Sequence, residues 1–229
     1  MIQELIIFLK NQYFLAIYFV TWLVAVYRYK RYFDTVLKYL PILIIYTFFT
    51  ELLGYFIKNH ADFQFFSDDR YNWHNVIIYN VYQIVTFLFF YWVYWKTLKN
   101  KSSKKVIEYG AYLCSLSYLV NTFIQNPLHK QLTYAHAIGS LILVFAIILY
   151  FKEKKSEDNP YPQKHNLLYW VSTGLFVFYA FFPFILLSDY FNLSISTQYH
   201  LRITLLTFIA LMYLLFIVGL LIGKRKAFR

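Results

Sequence analysis

The stretch TFLFFYWVYWKTLKNKSSKK (86–105) runs from ten residues without a charge straight into five lysines. Its first half is too apolar for a water-facing element. Its second half resists transfer across a membrane. Three more junctions of this kind follow apolar stretches. They hold Arg28, Lys30, Arg31 and Lys38, then Lys152, Lys154, Lys155 and Lys164, then Lys224, Arg225, Lys226 and Arg229. Outside the four clusters stand only Lys10, Lys58, Arg70, Lys130 and Arg202. Each cluster follows every second apolar stretch, so the spacing predicts seven membrane spans with all clusters on the cytoplasmic side. The spans read as 8–27, 37–57, 74–95, 106–126, 133–151, 166–187 and 201–222. The expected fold is therefore all-α: a single polytopic domain over 1–229, a seven-transmembrane-helix bundle with its N-terminus outside and its C-terminus cytoplasmic.

Composition supports the same class. Hydrophobic residues make up 60% of the 229 and charged residues 14%, more apolar surface than one soluble core of this length can hide and about what roughly 20-residue spans require. Barrel strands of about ten alternating residues do not fit the long apolar blocks. A formal charge of +11 invites a nucleic-acid reading, but the cations gather at span ends instead of along one soluble face, so no nucleic-acid partner is expected. The single cysteine, Cys114, excludes an intrachain disulfide. The N-terminal apolar stretch has its positive charges after it and no small-residue cleavage site, so it reads as a retained span and not as a cleaved signal. No connection is long enough to form a soluble catalytic or signalling domain.

Chemistry must then lie within the spans, where a polar group needs a partner inside the protein. Glu51 is the acid deepest in a predicted span, 13 residues from Lys38 and seven from Lys58. Thr47, Gly54 and Tyr55 share its face at helical spacing. Asn75, Tyr79, Tyr82, Gln83 and Thr86 recur on one face of the third span, with Asn80 beside them. Gly110, Cys114, Ser117 and Asn121 form a stripe on the fourth, and His136, Gly139 and Ser140 on the fifth. For the small and hydroxyl residues, helix–helix glue suffices. The amides Asn75, Asn80, Gln83 and Asn121 have more groups to satisfy, and both glue and site stay open for them.

Once direction is assigned, Glu51, Asn75, Tyr79, Asn80, Asn121, His136 and Arg202 all fall toward the outer side. The inner halves TFLFFYWVYW, SLILVFAIILY and LMYLLFIVGLLIG are plain. This asymmetry predicts a polar cavity open to the outside above an apolar plug. Its ligand-binding residues would be Glu51, Tyr55, Asn75, Tyr79, Asn80, Gln83, Asn121, His136 and Arg202, with Arg202 or His136 as the resting partner of Glu51. A sensor or binding subunit that takes a small ligand from the outer side and acts through a cytoplasmic or membrane partner protein fits first, since no effector domain is present. A small-molecule transporter is the alternative, weakened by few helix breakers. A metal-dependent membrane-embedded hydrolase built on Glu51, His74, His136 and His200 fits less well, because no helix carries paired histidines at ligand spacing. Retinal and haem proteins and nucleotide-binding loops lack their lysine, histidine pairs or glycine patterns. No cofactor is named by the residues. Asn192-Leu193-Ser194 matters as a glycosylation signal only in a eukaryotic secretory pathway.

The run from ELLGYF through NVIIYNVYQ, about 51–83, resembles short seven-span membrane proteins of Bacteroidota-type bacteria through Glu51, Gly54, Asn75, Tyr79, Asn80 and Tyr82. That resemblance implies a bacterial inner membrane and a seven-helix bundle, and it carries over no catalytic role.

Overall fold

The structure, a computed structural model, describes residues 13–68, 70–72, 74–157, 162–191 and 198–225. Lys10, Asp69, Lys226, Arg229 and the Asn192–Ser194 signal lie outside these residues.

The described chain is all-α. Its helices are α1 (Tyr13–Arg28), α2 (Leu40–Asn59), α3 (Val76–Thr97), α4 (Lys101–Ile124), α5 (Thr133–Ser156), α6 (Leu167–Tyr190) and α7 (Gln198–Ile222), with short 3-10 turns at Tyr29–Arg31, Ala61–Phe63 and Gln163–His165. Five of them, α2, α3, α5, α6 and α7, are long and apolar enough to cross a membrane. Local chemistry sets several ends. Pro41 sits in the first turn of α2, where its missing N–H is not needed. Asn100 caps α4 by accepting from the N–H groups of Ser102 and Ser103. Gln125 turns extended at the end of α4, two residues before Pro127. Pro183 lies inside α6.

The described residues group into two compact units. The first holds 13–49, 162–178 and 198–225. Here α1 packs along α7, with Tyr18 edge-on to Tyr213 at 4.6 Å between ring centres. One end of this unit gathers cationic residues. Arg31 Nη1 donates to the carbonyl of Gly223 at 3.0 Å, satisfying the C-terminal end of α7. Lys224 N–H donates to the His165 carbonyl, and Arg225 pairs with Asp34 at 2.7 Å.

The second unit holds 50–157 and 179–191. In it α3, α4 and α5 pack against one another. The run read as a plug is its core: Phe87, Phe90, Tyr91, Val93 and Tyr94 are buried. The Phe87 ring occupies the space that a side chain on Gly139 would fill, and Tyr91 Oη donates to the Gly139 carbonyl at 2.7 Å. Cations gather at one end here too. Glu157 pairs with Lys99 and Lys154, and the Glu153 carboxylate accepts from the N–H groups of Lys99 and Asn100. Burial alone would raise the Glu157 carboxyl, but hydrogen bonds from Lys154 and Lys99 outweigh it and hold the group below the ordinary glutamate range.

The outward faces are apolar. On α4, Tyr112, Leu116, Leu119 and Phe123 repeat at helical spacing and are 64%, 57%, 60% and 84% exposed. Contiguous apolar surface on this scale is what hydrocarbon, not water, covers.

Candidate functional site

The end of the second unit away from Lys99 and Lys154 collects buried polar side chains, and they fall into separate bonded groups instead of one ring around a cavity. In the first group, Tyr79 Oη donates to Glu51 Oε2 at 3.0 Å, and Asn75 Nδ2 donates to the Gly54 carbonyl at 2.8 Å. The Tyr79 hydroxyl sits where a side chain on Gly54 would be, so that glycine admits the ring. Two residues of α2 are thereby locked to Tyr79 of α3 and to Asn75 just before it. Tyr55 points elsewhere: its ring lies 6.1 Å from that of His60.

Asn80 is spent on structure. Its amide donates to the carbonyls of Pro127 and Lys130, and its oxygen accepts from the N–H of Leu132. All three partners lie in the turn between α4 and α5, which fixes that turn against α3. Gln83 donates to Tyr179 Oη at 3.1 Å, buried against α6.

The α4–α5 junction is different, because its bonds leave groups unspent. Gln125 Oε1 accepts from the backbone N–H of Thr133 and from Asn121 Nδ2, both at 3.0 Å. A backbone N–H can only donate, so this bond fixes which end of the Gln125 amide is oxygen. The Gln125 Nε2 and the Asn121 Oδ1 are then left buried with no hydrogen-bond partner. Next to them, His136 Nδ1 lies 3.2 Å from the Gln131 side-chain amide, the tautomer setting which of the two donates, and the other ring nitrogen is Nε2. That Nε2 is buried without a partner, as is the hydroxyl of Tyr118, whose ring centre is 5.5 Å from that of His136.

A cavity of about 300 Å³ opens here, lined by Gln125, Lys130, Gln131, Thr133, Leu186 and Tyr190. Of the nine residues expected to bind ligand, none lines it. Asn121 and His136 stand behind it, each hydrogen-bonded to a lining glutamine. Glu51 meets Tyr79, not His136. Arg202 is an exposed residue near the start of α7, in the first unit. The lining glutamines escaped sequence reading because they lie at the junction of helix and turn. Their signal was present in the pair Gln125 and Gln131 flanking Pro127, where a polar residue at a span end is ordinarily taken as solvated.

On the loops beyond this end, His129 stacks on Tyr71 at 4.0 Å and meets His74 edge-on at 5.5 Å, with the Phe66 ring tilted 4.9 Å away. Burial first, and then the neighbouring His129, pull the His74 imidazole below its ordinary range. Asp68 pairs with Arg70 at 2.7 Å, and that hydrogen bond holds its carboxyl below the usual value.

Among the described residues no three His, Cys, Asp or Glu side chains come together in a way that would hold a metal ion. The junction offers hydrogen-bond donors and acceptors beside an apolar wall. No family model, curated protein or solved structure matches this chain.

Proposed function

We propose that this chain is a seven-span inner-membrane protein of the short bacterial type. In this reading its N-terminus is outside, and the cavity at the α4–α5 junction binds a small ligand from the outer side. The observation that carries the binding role is the Gln125 amide: oriented by the backbone of Thr133, its N–H groups are buried and unspent at a cavity wall. Buried donors are ordinarily satisfied, and a ligand group is one way to satisfy them.

Two facts support the topology. The basic stretches after α1, before α6 and after α7 meet at one end of the first unit. Those after α3 and after α5 meet at one end of the second. Each set is what a shared cytoplasmic side would produce. The exposed apolar face of α4 supports counting α4 as a span despite the lysines in its first turn. α1, described over 16 residues, would be the remaining span of the seven.

A sensor or binding subunit passing its signal to a partner remains the first functional reading. Transport is the second, favoured by Pro183 within α6, since a proline leaves the preceding turn short of a hydrogen bond and able to bend. Native mass spectrometry of the full chain tests the shared premise. The expected result is a small molecule bound to the wild type and absent from Leu186→Trp, which fills the cavity. Equal occupancy in both would place the ligand elsewhere.

A further inference from the structure

The proposed ligand has a chemical class, an inference that rests on the binding role just proposed. None of the six described residues lining the cavity is acidic, and one, Lys130, carries a positive charge. The Gln125 side chain, 3% exposed, turns its amide nitrogen and not its oxygen away from its structural bonds, because the oxygen is held by the Thr133 N–H. Thr133 Oγ1 is already donating to the Gln131 carbonyl, and Gln131 Nε2 is engaged by His136. What is left is therefore mainly donor capacity: an ammonium from Lys130 on the wall and two unspent N–H groups on Gln125, buried within it. Leu186 and Tyr190 supply an apolar wall, with Tyr190 held edge-on by Tyr134 at 5.3 Å.

We infer that the cavity takes a molecule with an anionic oxygen group on a small apolar stem. The anion would sit between Gln125 Nε2 and Lys130, and the stem against Leu186 and Tyr190. A small soluble carboxylate and an anionic lipid headgroup share this chemistry. Glu51, expected from the sequence to bind ligand, is bonded to Tyr79 and is not among the described residues lining this cavity.

The test uses the full chain in nanodiscs of zwitterionic phosphatidylcholine, titrated with benzoate, benzamide and benzylamine. Benzoate should bind about tenfold more tightly than benzamide, as expected when a hydrogen bond becomes charge-assisted, and benzylamine more weakly than either. Lys130→Gln should weaken benzoate and leave benzamide unchanged. Gln125→Glu keeps an oxygen for Thr133 and Asn121 but replaces the amide nitrogen with a second oxygen, so benzylamine should now outrank benzoate. Silent benzoate together with protection of the Lys130 amine from acylation in phosphatidylglycerol nanodiscs would assign the anion to lipid. Benzamide binding as tightly as benzoate, with both lost in Leu186→Trp, would overturn the anionic class while leaving the cavity as a binding site. Failure of all three probes and of phosphatidylglycerol, with nothing bound to the purified wild type, would overturn both.

Discussion

Gln125 Oε1 accepts the backbone N–H of Thr133 at 3.0 Å, and this single bond orients a buried amide of the cavity wall. It joins the last residue of the α4 stretch to the first of α5. Removing that oxygen leaves the Thr133 N–H only the Gln131 carbonyl, at 2.8 Å, and takes the acceptor from the buried Asn121 Nδ2; a buried donor without a partner costs about 1–3 kcal/mol. Gln125→Leu should therefore lower the unfolding temperature of the detergent-solubilised protein clearly more than Gln125→Glu, whose oxygen can still accept. Equal losses would mean that the Thr133 bond contributes nothing.

Gly54 and Tyr79 make a second, independent lock. A Cβ at position 54 meets the Tyr79 hydroxyl first, so Gly54→Ala overpacks the α2–α3 contact and should cost about 1–3 kcal/mol in a denaturant titration. Tyr79→Phe deletes the atom in the way, along with its bond to Glu51. The double variant should be more stable than the sum of the single losses predicts. Strict additivity would show that the two positions do not touch.

Asn80 is predicted to be structural. Asn80→Ala strips the 127–132 turn of three hydrogen bonds. Amide exchange in that turn should accelerate at least about tenfold, the change that roughly 1.4 kcal/mol of lost protection produces, while the basic end of the same unit stays protected. Unchanged exchange in the turn would contradict this role.

The loop contact between His74 and His129 should depend on pH. His74 binds its proton more weakly when folded than when unfolded. The contact is therefore fully stable above the unfolded imidazole value, about 6.5, and weakens as pH falls below it. Asp68, Arg70 and Tyr71 share the neighbourhood. The pairing of Asp68 with Arg70 keeps that carboxylate ionised across this window. Exchange in residues 66–75, corrected for its intrinsic pH dependence, should be faster at pH 5 than at pH 7.5. His74→Phe should flatten the difference. A rise in protection on acidification would reverse the sign and defeat the account.

The helices were legible in the sequence because lipid-facing and core-facing residues are both apolar, so a span reads as a block. The 74–95 and 133–151 blocks correspond to α3 and α5, whose helices continue past the apolar edge into Thr97 and Ser156, since lysine-bearing turns stay helical. The face of α3 carrying Asn75, Tyr79 and Gln83 was also legible, because the 3.6-residue period puts them together. What the period could not give was where each amide points. Asn80 and Gln125 look alike as sequence. One is consumed by three backbone groups, while the other is held by its oxygen and left with a free nitrogen. That difference is set by the turn around Pro127, a tertiary feature that no single helix encodes.

The claim beneath all of this is sidedness: the Lys130 end and the Lys101 end of the second unit face opposite sides of the membrane. With Cys114→Ser as background, cysteines placed singly at 130 and 101 can be challenged in intact cells with a membrane-impermeant maleimide. The account predicts labelling at 130 in intact cells, and at 101 only after permeabilisation. Labelling at 101 in intact cells, or at neither position until the cells are opened, would contradict it.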